Sequence, residues 1–315
     1  MEGPLVVAAP SARERTPALG YAYVLAGAAL FGVNGSVAKV ALASGLSSLR
    51  LTEARCAGAF LGLALLAFAR SPRSLRVGRR ELARLAVFGV CGVALVQLFY
   101  FLAIHRLAIG IALLIQYLGP LLVAVYVRTV RHEHVRRRVW AALALSLAGL
   151  VLMVELWRGL ALDGLGVTFA LIAAVVFAAY LLLAEREVAE RDSISLMAYG
   201  FFFATLFWTV VQPWWGFPSG RVGETVSLAG RLGAWHVPVW ALVLWVIVLG
   251  SIVPFSLVVA GLRHVSATRV GIAAMLEPVV ATVVAWAWLR ETLSPVQLAG
   301  AAVVLCGIAL AQTAR

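Results

Sequence analysis

The chain has 315 residues, is 63% hydrophobic and only 13% charged, and carries a formal net charge of +12. A water-soluble domain is nearer a quarter charged, so a chain this apolar cannot cover itself in water and its solvent is lipid. The basic excess is 25 arginines with Lys39 as the single lysine, set in short clusters between apolar runs, a pattern that marks cytoplasmic loops rather than a nucleic-acid groove.

Residues 1–17 hold only a short apolar run broken by Pro4, Pro10 and Pro17, and read as a cytoplasmic tail rather than a cleavable leader. Ten apolar spans follow, at 19–38, 49–69, 82–103, 109–128, 138–155, 164–184, 195–212, 238–260, 268–288 and 295–313. About 20 residues at ~1.5 Å each cross a ~30 Å hydrocarbon core. In lipid every backbone polar group must be satisfied within the span, which makes each span a helix. The expected fold class is therefore an all-α integral membrane protein. Counted from an inside N-terminus, eighteen basic residues fall on the inner side and seven on the outer, with Arg55 inside the second span. That bias puts both termini in the cytoplasm of a multi-pass protein of the plasma or inner membrane. Cys56, Cys91 and Cys306 each lie inside a span without paired spacing, so they read as packing residues.

The stretch 106–153 returns, shifted by 158, with Pro120, Glu133 and Gly149 matched by Pro278, Glu291 and Gly307. Earlier in each copy Gly20 and Phe31 align with Gly166 and Phe177 at a spacing of 146. This divides the chain into the tail, a first repeat at 18–158 and a second at 159–315. Each copy has five spans, an odd number, so the second must enter from the opposite side. The charges agree, because Arg136, Arg137 and Arg138 correspond to Ser294, Pro295 and Val296. The arginine-rich loop between spans two and three likewise corresponds to the nearly neutral, tryptophan-bearing loop at 214–236. Two inverted five-helix repeats are the expected architecture, and inverted-repeat transporters bind their solute near the midplane between the copies.

Leu276-Glu277-Pro278, followed by Arg290-Glu291-Thr292-Leu293, Pro295, Gln297 and Gly300, resembles the EamA family of the drug/metabolite transporter superfamily. The likeness covers nearly the whole chain, and Arg55 near the start of span two fits it. Phe31 stands where many members carry tryptophan. Phe99-Tyr100-Phe101, Gly110-Ile111-Ala112 and Gly119-Pro120 resemble the bacterial threonine/homoserine exporter branch. The resemblance implies export of an amino acid or a similar metabolite.

Polar residues deep in spans are the candidates for the solute cavity. Glu277 lies mid-span among Ala273, Ala274 and Ala281. It either holds a solute ammonium or a proton, or bonds the polar groups that Pro278 frees. Gln97 and Tyr100 share a helix face, and Gln116 and Tyr117 lie within a turn of Pro120. These four offer hydrogen bonds and flat surfaces to an amphipathic ligand, or cross-link helices. Asn34 and Tyr180 occupy near-equivalent places in the two copies. Ser251 sits one turn from Pro254, and Pro120, Pro254 and Pro278 are candidate hinges. Lys39, Arg55 and Arg269 are candidate gate charges. Glu53 and Glu155 are the expected ion partners of Lys39 and Arg55, and Arg269 is expected to snorkel to the interface. His132 and His134 stand among arginines, a poor setting for a cation, and no metal or cofactor is expected.

No phosphate-loop or hydrolase motif is present, so neither an intrinsic ATPase nor an enzyme is expected. The expected partners are a small-molecule solute, the bilayer and protons as a coupling ion, with no nucleic acid; monomer and homodimer both stay open. The expected function is a secondary transporter of the inner membrane that exports a small metabolite, an amino acid, by alternating access. A multidrug or uptake carrier of the same fold, or a non-transporting polytopic protein, are the alternatives.

Overall fold

The computed structural model describes residues 16–157 and 163–313. Most of the expected tail, and the expected boundary between the copies at 158–159, lie outside the described residues. Within them ten helices are long and apolar enough to cross a membrane: α1 Pro17–Leu42, α2 Ser48–Arg70, α3 Arg79–Ile104, α4 Ile109–Thr129, α5 Arg137–Val154, α6 Gly164–Glu190, α7 Ser193–Val211, α8 Val239–Gly261, α9 Ala267–Leu289 and α10 Pro295–Thr313. The chain is an all-α polytopic membrane protein. Between α7 and α8 lies a small antiparallel hairpin, β1 Thr225–Ser227 against β2 His236–Pro238.

Helix starts follow local chemistry. Ser47, Asp163 and Asp192 each accept a backbone N–H of the first turn of α2, α6 and α7 with their side chains. Pro17 and Pro295 open α1 and α10, where a missing N–H costs nothing. The largest departure from the expected spans is α6, which runs six residues beyond 184 to Glu190. Hydropathy stops at Glu185-Arg186-Glu187, but the helix continues because these carboxylates find arginine partners on other elements.

The long helices are irregular at matched places. A proline has no N–H for the carbonyl four residues back, and its ring crowds that carbonyl. Accordingly α4 is interrupted at Tyr117 and Leu118, just before Gly119-Pro120, and α9 at Met275, just before Glu277-Pro278. In α3 and α8 the winding loosens to π-helix over Phe88–Ala94 and Val248–Ile252. His132 and Arg290 both take left-handed backbone, at φ 54° and 60°. All three irregularities recur at or close to the sequence offset of 158.

Helices α5 and α10 pack through Gly149 and Gly300. A Cβ on either would lie 2.7 Å from the other's carbonyl oxygen, so only glycine allows that crossing. The two ends of the bundle differ in composition. One end collects the arginine clusters of the 70–80 and 128–138 connections. The other holds the β-hairpin and nearly all of the ten tryptophans, Trp140 excepted.

Candidate functional site

A cavity of about 570 Å³ lies between α1, α4, α5 and α9. Tyr117 and Pro278 form its floor, Gly35, Leu114 and Thr282 its walls, and Lys39 and Glu291 its mouth at the hairpin end. The floor is a product of the broken helices. Pro278 cannot donate to Ala274, so the Ala274 carbonyl is released and lies 3.2 Å from the Tyr117 hydroxyl. That hydroxyl has one proton and donates it to the nearer acceptor, Glu277 Oε2, at 2.9 Å. Glu277 therefore sits immediately below the floor, held by a tyrosine 160 positions away. Helix α1 reaches this point through Gly32, where a Cβ would lie 2.7 Å from the Glu277 carbonyl oxygen.

Four other sequence-predicted residues, Tyr100, Gln97, Gln116 and Asn34, lie outside the cavity lining, and of these Tyr100 is tied to Glu277. Tyr100 is half-buried and within electrostatic reach of Glu277 and Tyr117. Gln97 donates to the Val93 carbonyl at 3.1 Å, and its Oε1 is buried without a partner among the described residues. Gln116 Oε1 and Asn34 Oδ1 are likewise buried and unpartnered, with Asn34 packed against Gly250. Tyr180 and Ser251 stand apart from the cavity wall. The Tyr180 ring stacks on Phe88 and Phe177 and meets Phe255 edge-on, inside an aromatic core. Ser251 donates to Val246 within its own loosened helix at 3.0 Å. Pro120 and Pro278 follow real helix breaks, and Pro254 follows the loosened segment of α8. Arg269 lies beside the Tyr21 hydroxyl rather than at the cavity.

The expected ion partners are different ones. Lys39 pairs with Glu291 at 2.6 Å, and Glu53 with Arg50 at 2.8 Å. Glu155 accepts from the Ser294 hydroxyl at 2.6 Å, and Arg55 pairs with neither acid. Lys39 and Glu155 find their partners in the second half of the chain, whereas Glu53 is taken by Arg50 one turn earlier on its own helix.

Sequence reasoning passed over the acids at the arginine-rich end. Arg131, after α4, pairs with Glu185 of α6 at 2.9 Å, and Glu185 also accepts from the Ala267 N–H that begins α9 at 2.8 Å. Arg84 of α3 meets Glu187 and Glu190 of α6. Arg191 reaches Glu81 at 2.6 Å, the Arg76 carbonyl at 3.1 Å, the Ser74 carbonyl and the Ser195 hydroxyl. Each of these arginine–carboxylate pairs joins the first half of the chain to the second. The available signal was three acids, Glu185, Glu187 and Glu190, with Arg186 among them, at the end of a span facing arginine clusters. At the hairpin end Arg106 pairs with Asp163 at 2.8 Å, and the guanidinium holds that carboxyl below its usual range, so the pair stays charged near neutrality.

The sequence profile of the EamA-like transporter family matches residues 18–155 and again 164–313. The threonine/homoserine exporter RhtA of Escherichia coli (strain K12) is 30% identical over 257 residues, 81% of this chain and 77% of that protein. The same exporter of Salmonella typhimurium (strain SL1344) is 28% identical over 270 residues, covering 84% and 79%. An uncharacterized transporter of Archaeoglobus fulgidus is 29% identical over 237 residues, covering 75% and 78%. A solved crystal structure superposes with a TM-score of 0.72 over 92% of this chain and 96% of the other, at 20% identity, which shows the fold alone.

Proposed function

The chain belongs to the EamA-like transporter family, and on that footing we propose that it exports a small metabolite, an amino acid, by alternating access. It is a multi-pass protein of the cell membrane and a transporter rather than an enzyme. The observation that carries the alternating-access reading is the asymmetry around Glu277, and the similarity to threonine/homoserine exporters supports export as the direction. A 570 Å³ cavity leads down to its Tyr117 partner from the hairpin end, while the arginine-rich end is closed by ion pairs between the two halves. In this reading the arginine-rich end faces the cytoplasm and the cavity faces outward, as the basic bias requires. The two five-helix copies, 18–158 and 159–315, are inverted relatives that rock about the central site. The recurrence of breaks, loosened turns and left-handed residues at one offset supports that relation.

Loading from the cytoplasm requires the Arg131–Glu185 and Arg191–Glu81 contacts to part while the hairpin end closes over the cavity. Return to the present arrangement releases the solute outward. The drive is proton exchange at Glu277 or the solute's own gradient. The similarity to threonine/homoserine exporters supports an amino acid as the solute.

Counterflow in proteoliposomes with a labelled amino-acid panel tests the reading. Saturable exchange of one amino acid is expected. Glu277→Gln is expected to abolish flux driven by a pH gradient while counterflow persists in weakened form, since exchange needs no net proton movement. A Glu277→Gln protein with both fluxes intact would make the carboxylate structural. Exchange of drugs or sugars, with no amino acid, would overturn the substrate.

A further inference from the structure

We propose that Arg55 and Glu277 are the two poles of a zwitterion site, the guanidinium taking a carboxylate and Glu277 taking an ammonium. This rests on the amino-acid reading above and adds which groups of the solute are recognised. Arg55 lies seven residues into α2 and Glu277 twelve residues from the end of α9. At ~1.5 Å per residue these are about 10 Å and 18 Å below the hairpin end, which places both well inside the membrane.

Three observations make the two side chains a site rather than packing. Each is lodged among helices and yet keeps accessible surface. Among the described residues Arg55 makes no ion pair, and its Nε is buried without a hydrogen-bond partner. Glu277 is near enough for the two charges to act on each other, but no ion pair closes between them. An opposite pair in low dielectric that stops short of contact leaves both members undercompensated. An α-amino acid carries its ammonium and carboxylate on one carbon and closes such a gap at both ends. An amine or an acid alone satisfies one pole and leaves the other exposed to the unmet charge.

The neighbours fit that use. Tyr117 occupies Oε2 of Glu277 and so fixes the carboxylate's orientation. Beside Arg55, Cys56 lies against Gln97, whose Oε1 is an unused acceptor. Tyr117 and Pro278, the cavity floor, are the hydrogen-bond partner and the chain neighbour of Glu277, so the acidic pole lies directly beneath the open chamber.

The test is competition against counterflow of labelled threonine, or of the labelled amino acid that the panel selects, in proteoliposomes of the full chain. The competitors are the same amino acid, its amide, which lacks the carboxylate, and its N-acetyl derivative, which lacks the ammonium. Wild-type protein is expected to prefer the amino acid at least about tenfold over either derivative, as a site built for polar groups rejects analogues that lack them. Arg55→Gln is expected to bring the amide within about twofold of the amino acid while the N-acetyl penalty stays. Glu277→Gln is expected to do the reverse, and Arg55→Lys to keep part of the discrimination against the amide. If Arg55→Gln does not fold, Arg55→Lys decides: discrimination equal to wild type overturns the assignment. Wild-type protein that exchanges the amino acid but accepts its amide equally well overturns the two-pole site and leaves the export reading standing. Wild-type protein that moves no amino acid overturns both.

Discussion

At the arginine-rich end, the Arg191 side chain is only 9% exposed and reaches Glu81, a serine hydroxyl and two backbone carbonyls. At the hairpin end, Lys39 and Glu291 meet at 2.6 Å with 67% and 48% of their side chains exposed. The two contacts look alike as ion pairs, but their surroundings give them different weight. An exposed pair is screened by water and salt and contributes ~0–1 kcal/mol. Removing one member of a buried pair strands its partner at a cost of about 3–5 kcal/mol. The cavity mouth is thus held loosely and the arginine-rich end firmly, and the buried Arg50–Glu53 pair of the hairpin end lies on α2, outside the cavity lining.

Breaking the firm end is expected to have the largest effect. Arg191→Ala removes the Glu81 pair and the donor to the Arg76 carbonyl, while the Ser74 carbonyl keeps the Ser195 hydroxyl and Glu81 stays 29% exposed to water, so a loss of about 1–3 kcal/mol is expected. A lowered melting midpoint in detergent would show it. A change below about 1 kcal/mol would mean that other contacts, such as Tyr199 to the Leu75 carbonyl at 2.6 Å, carry that closure. Breaking the loose end is expected to have the smallest effect. Lys39→Ala should alter stability by no more than ~1 kcal/mol and remove a contribution that salt already weakens. A larger loss, insensitive to salt, would make the two ends equals and remove the physical basis for the open cavity.

The membrane spans were legible in the sequence because lipid demands long unbroken apolar helices, and composition alone reports that. The breaks in α4 and α9 were legible too, because Pro120 and Pro278 act through local backbone chemistry. Contacts between the halves were not. Nothing local says that Tyr117 donates to Glu277, or that Lys39 finds Glu291 rather than Glu53 or Glu155. Tyr180 shows the same limit from the other side. Its near-equivalence to Asn34 suggested a cavity wall, yet Phe88, Phe177 and Phe255 draw its ring into an aromatic core that only the tertiary packing creates. The end of α6 shows a related limit, since hydropathy marks Glu185 as the end of the apolar span while the helix itself continues to Glu190, with Glu185 and Glu187 paired to Arg131 and Arg84.

The central claim is that the cavity above Glu277 opens to one side and then to the other. Thr282 lines that cavity, so its accessibility reports the claim directly. With Cys56, Cys91 and Cys306 replaced by alanine or serine, Thr282→Cys would be treated with a membrane-impermeant thiol reagent in right-side-out and inverted vesicles. Fast labelling from the hairpin side is expected at rest. On adding the transported amino acid, that labelling should slow while labelling from the arginine-rich side rises. Labelling confined to one side, at a rate the solute does not change while counterflow proceeds, would contradict alternating access.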